Sequence, residues 1–155
     1  MIPSFIVVRG ALWPILPPGI HDATIDEIEL RYAINSDREE LFSGFKKSLS
    51  NLFTAGCQEI FLDGSFVTAK PKPKDYEVAW DPRFVDPDRL DPVFLDFSQG
   101  TIFQKAKYLG EFFPSTAIEA KSGKVFLEFF QQEKDTGIKK GIIRLQNYLK
   151  KGGSI

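Results

Sequence analysis

The chain has 155 residues, a length that predicts one domain spanning residues 1–155, and its net charge of −1 argues against a broad nucleic-acid-binding surface. A single cysteine, Cys57, excludes an intrachain disulfide and a cysteine-rich zinc site and favours a reducing, cytoplasmic setting. The one histidine, His21, leaves little for a Ser-His-Asp triad, and no apolar stretch has the length of a membrane-spanning helix.

The first third of the chain predicts an N-terminal arm followed by two helices. Residues 1–20 hold a short apolar run and then several prolines, so we expect an extended arm that packs on the domain and is not a signal peptide. Residues 24–27 and 36–39 have the form of capping boxes, which predicts that a helix begins at each. The first helix is predicted to end near Asn35, and the second, with an apolar stripe at helical spacing, before Gly56.

The middle of the chain predicts two short strands joined by a turn. Residues 59–62 form an apolar strand, and Gly64 and Ser65 turn the chain into a short helix over 66–69. Residues 70–74, which we call the Lys-Pro loop, follow this helix, and their prolines prevent the helix from continuing through them. The second strand is predicted over residues 75–80.

The second half of the chain predicts short helices followed by strands. Asp-Pro pairs are helix-start signals, and they predict short helices within residues 87–96 and 99–108. Residues 111–113 and 125–130 are rich in phenylalanine and predict two strands. A Lys-Ser-Gly-Lys turn at 121–124 indicates that they form a hairpin.

The C-terminal segment and the order of the elements set the fold class. Residues 142–149 predict a strand or a terminal helix, and residues 150–155 a loose tail. Helices and strands are neither separated nor strictly alternating along the chain. The sequence therefore predicts an α+β domain, a mixed sheet with flanking helices.

The most informative pattern is a Gly-Ser turn followed by two alternating carboxylates. Asp75 and Glu77 stand at i and i+2 on the second strand, so their side chains point to the same face. Gly64 lets the backbone approach a phosphate, and the amide and hydroxyl of Ser65 can donate to it. Two carboxylates beside a bound phosphate can hold Mg²⁺, which is the chemistry of nucleotidyl transfer. The alternative is an ordinary turn and a solvated face of an edge strand.

A known superfamily has this pattern. An apolar residue, Gly-Ser, a short gap and then Asp-apolar-acid-apolar resembles the signature of the DNA polymerase beta-like nucleotidyltransferases, whose minimal members are of similar size. The resemblance implies that Gly64 and Ser65 bind the nucleotide and that Asp75 and Glu77 bind Mg²⁺ or Mn²⁺, with a nucleoside triphosphate as substrate. The departure is Glu77, a position where the superfamily more often has Asp.

The resemblance also implies a third acid on a later strand. Glu128, within an aromatic stretch, is the first choice as a third catalytic and metal-binding residue, and Asp96 and Glu111 are weaker candidates. The alternative for Glu128 is a carboxylate that faces solvent on a one-sided sheet. Lys74 lies with Lys70 in the Lys-Pro loop, where it would bind the triphosphate or an RNA backbone, or would form part of a plain solvated loop.

Longer stretches are similar to a family of uncharacterised bacterial proteins, namely residues 17–21, 62–71 and 126–131. The superfamily resemblance implies transfer of a nucleoside monophosphate to a hydroxyl of a protein, a tRNA or a small molecule. Its small bacterial members often resemble the antitoxin of a toxin–antitoxin pair, where the enzyme modifies its partner. Because the chain is short, we expect acceptor recognition to need an oligomer or a partner. The alternative is a catalytically inactive interaction protein on the same fold.

Overall fold

The computed structural model describes residues 1–149 and has a mixed sheet at its centre. The strands are β1 (Gly19–Asp22), β2 (Glu59–Asp63), β3 (Tyr76–Trp80), β4 (Ser98–Thr101), β5 (Gly110–Pro114) and β6 (Gly141–Gln146). The helices are α1 (Ile25–Tyr32), α2 (Ser36–Thr54), α3 (Ile102–Tyr108) and α4 (Phe126–Phe129), with 3₁₀ turns at Ser65–Val67 and Pro92–Leu95. The five-stranded sheet has the order β1-β6-β2-β3-β5. The predicted α+β class, with a mixed sheet, is confirmed.

The sheet contains both parallel and antiparallel strand pairs. β2 pairs antiparallel with β3, the next strand in the chain, and also with β6. β3 pairs parallel with β5, and β1 pairs parallel with β6. The connection from β3 to β5 carries α3, which is the kind of crossover that a parallel pair needs.

The first helix begins where the sequence predicts it. Thr24 accepts a hydrogen bond from the Glu27 amide at 3.1 Å, and Glu27 accepts one from the Thr24 amide at 3.3 Å, which completes the capping box. The helix ends at Tyr32, slightly before the predicted end near Asn35.

The second helix has a different cap from the predicted one. Asn35, and not Ser36, is the residue that caps α2, because its side chain accepts from the Arg38 amide at 2.9 Å. An Asn immediately before a Ser-led box is an equally good N-cap, and the sequence alone does not choose between them. Gly56, with φ of 108°, ends the helical region as predicted.

The core has two parts, one on each face of the sheet. The larger part packs α1, α2 and α3 against the face that carries Ile60, Leu62, Val78, Phe112 and Ile143. The smaller part lies on the opposite face, where Phe61, Ala79, Phe130 and Ile142 pack together with residues of α4. The strands are therefore covered on both faces along part of their length.

Residues 125–130 were predicted as a strand, and this prediction is wrong. Residues Phe126–Phe129 form α4, and the turn at 121–124 closes a single bridge between Ile118 and Val125 instead of a hairpin. A run of apolar residues without alternation fits a buried helix as well as a strand, so periodicity could not decide. The helix places Phe126 and Phe130 against the sheet.

The N-terminal arm packs on the domain as predicted, but its last two residues belong to β1. A bridge between Ile6 and Ile15 folds the arm back on itself. The Ala69 amide donates to the Pro14 carbonyl at 3.0 Å, and the Gly141 amide donates to the Leu16 carbonyl at 3.1 Å.

The remaining sequence predictions concern short elements. Of the two alternatives for residues 142–149, the strand is confirmed, and it covers Gly141–Gln146 as β6. The region 87–96 contains a 3₁₀ turn in place of a longer helix. The predicted loose tail at 150–155 lies outside the described residues. Within residues 1–149, no helix has both the length and the apolar character that crossing a membrane requires.

Candidate functional site

Four charged side chains lie in a row across one face of the sheet. Asp63 on β2 is directly opposite Glu77 on β3, and Glu77 is directly opposite Glu111 on β5. The Lys140 ammonium, just before β6, makes a buried ion pair with Asp63. We call Lys140, Asp63, Glu77 and Glu111 the charged row. It brings three carboxylates onto neighbouring strands, where the sequence pattern predicted two on one strand.

The alternation of each strand explains why the charged row forms. Leu62, Val78 and Phe112 are buried on the face that packs against α2, so the residues next to them in sequence point the other way. On that other face α4 covers Phe61 and Phe113. The charged row lies one step further along the strands.

The Gly-Ser turn directly adjoins the charged row. Gly64 has φ of 90°, a conformation that side-chain-bearing residues rarely adopt. A Cβ added to Gly64 would lie 3.4 Å from the Cγ and from the backbone nitrogen of Glu77. Ser65 follows as the first residue of a 3₁₀ turn. The turn therefore lies beside the side chain of Glu77.

A buried arginine holds the segment that follows the turn. Arg38 on α2 is 2% exposed, and its guanidinium donates to four backbone carbonyls instead of a carboxylate. The acceptors are Tyr32 at 3.2 Å, Phe66 at 2.7 Å, Thr68 at 2.9 Å and Lys70 at 2.6 Å. The arginine therefore fixes the path of the chain from the Gly-Ser turn to the Lys-Pro loop.

Glu77 is the carboxylate of the row without a cation beside it. Within residues 1–149 it makes no ion pair and no side-chain hydrogen bond, and it lines a cavity. Burial and the negative charge of Asp63 raise the pKa of Glu77 to about 8, with Lys140 opposing and Glu111 and Asp75 adding to the rise. A cation bound at Glu77 would offset this excess of negative charge.

A second lysine joins the other end of the row. Lys105 on α3 lies 3.2 Å from a carboxylate oxygen of Asp75 and 3.9 Å from one of Glu111. The Thr101 hydroxyl donates to Glu111 at 2.6 Å. The buried side chain of Gln104 accepts from a β5 amide at 2.8 Å and holds α3 in place beside the row.

A cavity of about 400 Å³ opens at the charged row and the Gly-Ser turn. Its charged lining consists of four acids and three lysines, namely Asp63, Glu77, Glu133, Asp135, Lys70, Lys134 and Lys140. Its apolar lining comes from two other segments, the arm with Leu12, Trp13 and Ile15, and α4 with Phe129. A volume of this order is typical of small-molecule sites.

The structure brings together three of the residues that the sequence singles out. Gly64, Ser65 and Glu77 line the cavity. Asp75 lies just before β3, two residues from Glu77 and in contact with Lys105.

Glu128 and Lys74 are not brought into the cavity. Glu128 is exposed on α4, since the segment is a helix and not the predicted strand, and Lys74 is exposed in its loop. The lysine of that loop that lines the cavity is Lys70. Asp96 caps the backbone of Ser98 locally.

Glu111, a weaker candidate in the sequence, is the third carboxylate of the row. Its register with Glu77 could not be read from the chain, because it depends on the pairing of β3 with β5 across an intervening helix. Asp63 and Lys140 were not predicted as site residues from the sequence. The signal for Asp63 was its place directly before the Gly-Ser pair.

The carboxylates of the charged row could bind a divalent metal ion only if a bound substrate supplied further ligands, such as phosphate oxygens. Within the described part of the chain, no three or more His, Cys, Asp or Glu side chains are grouped so that they could hold a metal ion. Mg²⁺ is usually bound by one or two carboxylates together with substrate phosphates, so a three-residue cage is not required. Glu77, with Asp75 and Glu111 beside it, meets that smaller requirement.

Comparison with known proteins defines the family but not the activity. The chain belongs to a family of unknown function, DUF6932, which matches residues 12–146. No curated protein and no solved structure matches the chain. The matched range includes the whole charged row and the cavity lining, and it assigns no chemistry to them.

Proposed function

We propose that the charged row and the Gly-Ser turn form the site of a metal-dependent nucleotidyltransferase. The reaction is transfer of a nucleoside monophosphate from a nucleoside triphosphate to a hydroxyl acceptor. The observation that carries the proposal is that Gly64 adjoins Glu77, since a Cβ built on Gly64 would lie 3.4 Å from the Glu77 Cγ. A triphosphate against the turn reaches a carboxylate that lacks a cation.

The phosphates have matched partners around the cavity. The backbone of Gly64 and the amide and hydroxyl of Ser65 would donate to phosphate oxygens. Lys70 and Lys134 line the same cavity and would offset part of the charge of a triphosphate, whereas Lys140 is already paired with Asp63.

The carboxylates of the row are the metal ligands in this proposal. Glu77 would hold Mg²⁺ or Mn²⁺ together with Asp75 or Glu111, and the metal supplies charge neutralisation at the phosphates. Lys105 lies between Asp75 and Glu111 and would give up one of them when the metal binds. Glu111 takes the place that the sequence gave to Glu128.

The transfer step is a displacement at phosphorus. The acceptor oxygen forms a bond to the α-phosphorus, the bond from that phosphorus to the bridging oxygen breaks, and pyrophosphate leaves with the electron pair. With Asp75 as the second metal ligand, the proton of the acceptor hydroxyl would pass to Glu111, whose carboxylate accepts a hydrogen bond from Thr101.

In this proposal the nucleoside triphosphate occupies the cavity of about 400 Å³, and the acceptor docks outside it. The acceptor classes in this proposal are a protein hydroxyl, as on a toxin-like partner, the end of a tRNA, and a small molecule. An oligomer or the partner itself would supply the acceptor surface, and a cytoplasmic location belongs to the same proposal.

Label transfer tests the proposal. The protein is incubated with each α-labelled nucleoside triphosphate and Mg²⁺ or Mn²⁺, with and without cell lysate. Label is expected in protein or RNA, and Glu77→Gln is expected to lower its transfer at least about 100-fold, because it removes a metal ligand. Glu128→Gln is the matched control, since it changes an exposed glutamate outside the cavity, and it should leave transfer unchanged. Equal transfer by the two variants would contradict the assignment.

A second candidate function is a catalytically inactive interaction protein, which two ion pairs favour. Lys140 already neutralises Asp63, and Lys105 already pairs with Asp75 and lies 3.9 Å from Glu111. Ammonium groups would then hold the row together without metal. This candidate predicts that the folded protein transfers no label and binds triphosphate equally well with and without Mg²⁺.

A further inference from the structure

The cavity has an aromatic part that phosphate and metal chemistry do not use. Trp13 from the arm and Phe129 from α4 both line it, and they remain 39% and 36% exposed. The other tryptophan, Trp80, is 2% exposed in the core. An apolar ring left half-open beside charged groups is suited to a ligand that has one flat apolar part and one anionic part.

Hydrogen bonds hold the backbone on either side of Trp13. The Ala69 amide donates to the Pro14 carbonyl at 3.0 Å, and the Ile15 amide donates to the Ile6 carbonyl at 3.0 Å within the arm. The arm next to Trp13 is therefore tied to the loop that follows the Gly-Ser turn.

Phe129 is likewise held by its neighbours. Its ring centroid lies 6.2 Å from that of Phe126 and 6.3 Å from that of Phe130, and Phe126 stacks on Phe113 at 4.2 Å. This ladder of rings connects Phe129 to β5. The ring that lines the cavity is thus supported from the sheet.

We infer that Trp13 and Phe129 form the base-binding wall of the site and stack on the nucleobase of the bound nucleoside triphosphate. This inference rests on the proposed nucleotide function and adds the part of the chain that holds the base. Every nucleobase presents a flat π face, and stacking on an aromatic side chain tolerates all four bases. The charged lining of the cavity then holds the triphosphate, and the site accepts each nucleoside triphosphate with a modest base preference.

Affinity and tryptophan emission test the inference together. The full chain is titrated with ATP, GTP, CTP and UTP, each with Mg²⁺, and with inorganic tripolyphosphate, which has no base. Trp13→Ala and Phe129→Ala are expected to weaken binding of the nucleotides roughly 5- to 150-fold and to leave tripolyphosphate binding unchanged. Phe84→Ala, at a 67% exposed ring outside the cavity, is the matched control and should change neither.

Emission gives an independent reading from the same samples. A stacked base should quench Trp13 in the natural protein, while tripolyphosphate should not. In Trp13→Ala the remaining tryptophan is Trp80, and the emission of Trp80 should not respond to any nucleotide. Circular dichroism checks that each variant is folded, and Trp13→Phe, which keeps a ring, should retain most of the affinity.

The outcomes separate this inference from the function on which it rests. Unchanged nucleotide affinity in folded Trp13→Ala and Phe129→Ala, with the natural protein binding well, would overturn the base wall and leave the nucleotide site standing. No binding of any nucleotide or of tripolyphosphate by the natural protein would overturn both.

Discussion

Glu77 is the residue whose environment departs most from that of an ordinary surface carboxylate. Burial and Asp63 raise its pKa to about 8, while Lys140 opposes the rise and Glu111 and Asp75 increase it. Between pH 4.5 and about pH 8, the folded protein therefore keeps a proton on the Glu77 carboxyl that the unfolded chain releases. A bound cation would replace that proton, so metal binding is expected to strengthen as the pH rises towards 8.

The same shift makes stability depend on pH. The pKa of Glu77 in the folded protein is raised above the usual 4.5. Its contribution to the free energy of unfolding is therefore fully present below pH 4.5 and is lost as the pH rises to about 8. Glu77→Gln keeps a neutral side chain at every pH. We expect the free energy of unfolding of the variant, relative to that of the natural protein, to be higher at pH 8 than at pH 5 by about 1 kcal/mol or more. Urea unfolding at both values measures the difference.

Glu128→Gln serves as the control for this prediction. It makes the same chemical change at an exposed position, so its effect on stability should be small at both pH values. A Glu77→Gln variant whose stability relative to the natural protein is the same at pH 5 and pH 8 would contradict the raised pKa.

At the scale of elements, α2 connects the core to the site through Arg38. This residue lies three positions before Leu41, on the buried face of the helix, and its burial was not predicted from the sequence. A guanidinium has five donors in a fixed plane and can serve several carbonyls at once. An ammonium has one nitrogen and cannot reach the same set.

Replacing Arg38 with lysine should therefore loosen the segment after the Gly-Ser turn. Arg38→Lys leaves buried carbonyls without donors, and we expect it to lower the free energy of unfolding by about 2–4 kcal/mol. Denaturant unfolding measures this loss. Arg89→Lys, at an exposed arginine, is the matched control and should stay within about 0.5 kcal/mol of the natural protein. A similar small effect from Arg38→Lys would show that its four hydrogen bonds do not position the turn.

The elements also mark where sequence reasoning succeeds and where it fails. Local signals located α1, α2, β2 and β3, because caps, apolar stripes and alternation are properties of neighbouring residues. The aromatic run at 126–130 became α4, since its apolar residues show no alternation and tertiary packing decided its form. Because Glu128 lies in this segment, its predicted position on a strand of the sheet was wrong as well.

At the scale of the whole molecule, the α+β class followed from the order of elements, but the strand order did not. β1 was missed because its four residues, Gly19–Asp22, carry no apolar run and pair only with β6, far along the chain. The charged row depends on that long-range order. Gly64, Ser65 and Glu77 could be predicted from local spacing, whereas Asp63, Glu111 and Lys140 meet only through the sheet.

The most direct test of the central claim is calorimetric titration of ATP at pH 8, with Mg²⁺ and with a chelator in its place. We expect the natural protein to bind ATP more tightly with Mg²⁺ than with the chelator. Glu77→Gln should abolish this difference in affinity, and Glu128→Gln should preserve it. Equal affinity with and without Mg²⁺, or no binding at all by the natural protein, would contradict a metal–triphosphate site at the charged row.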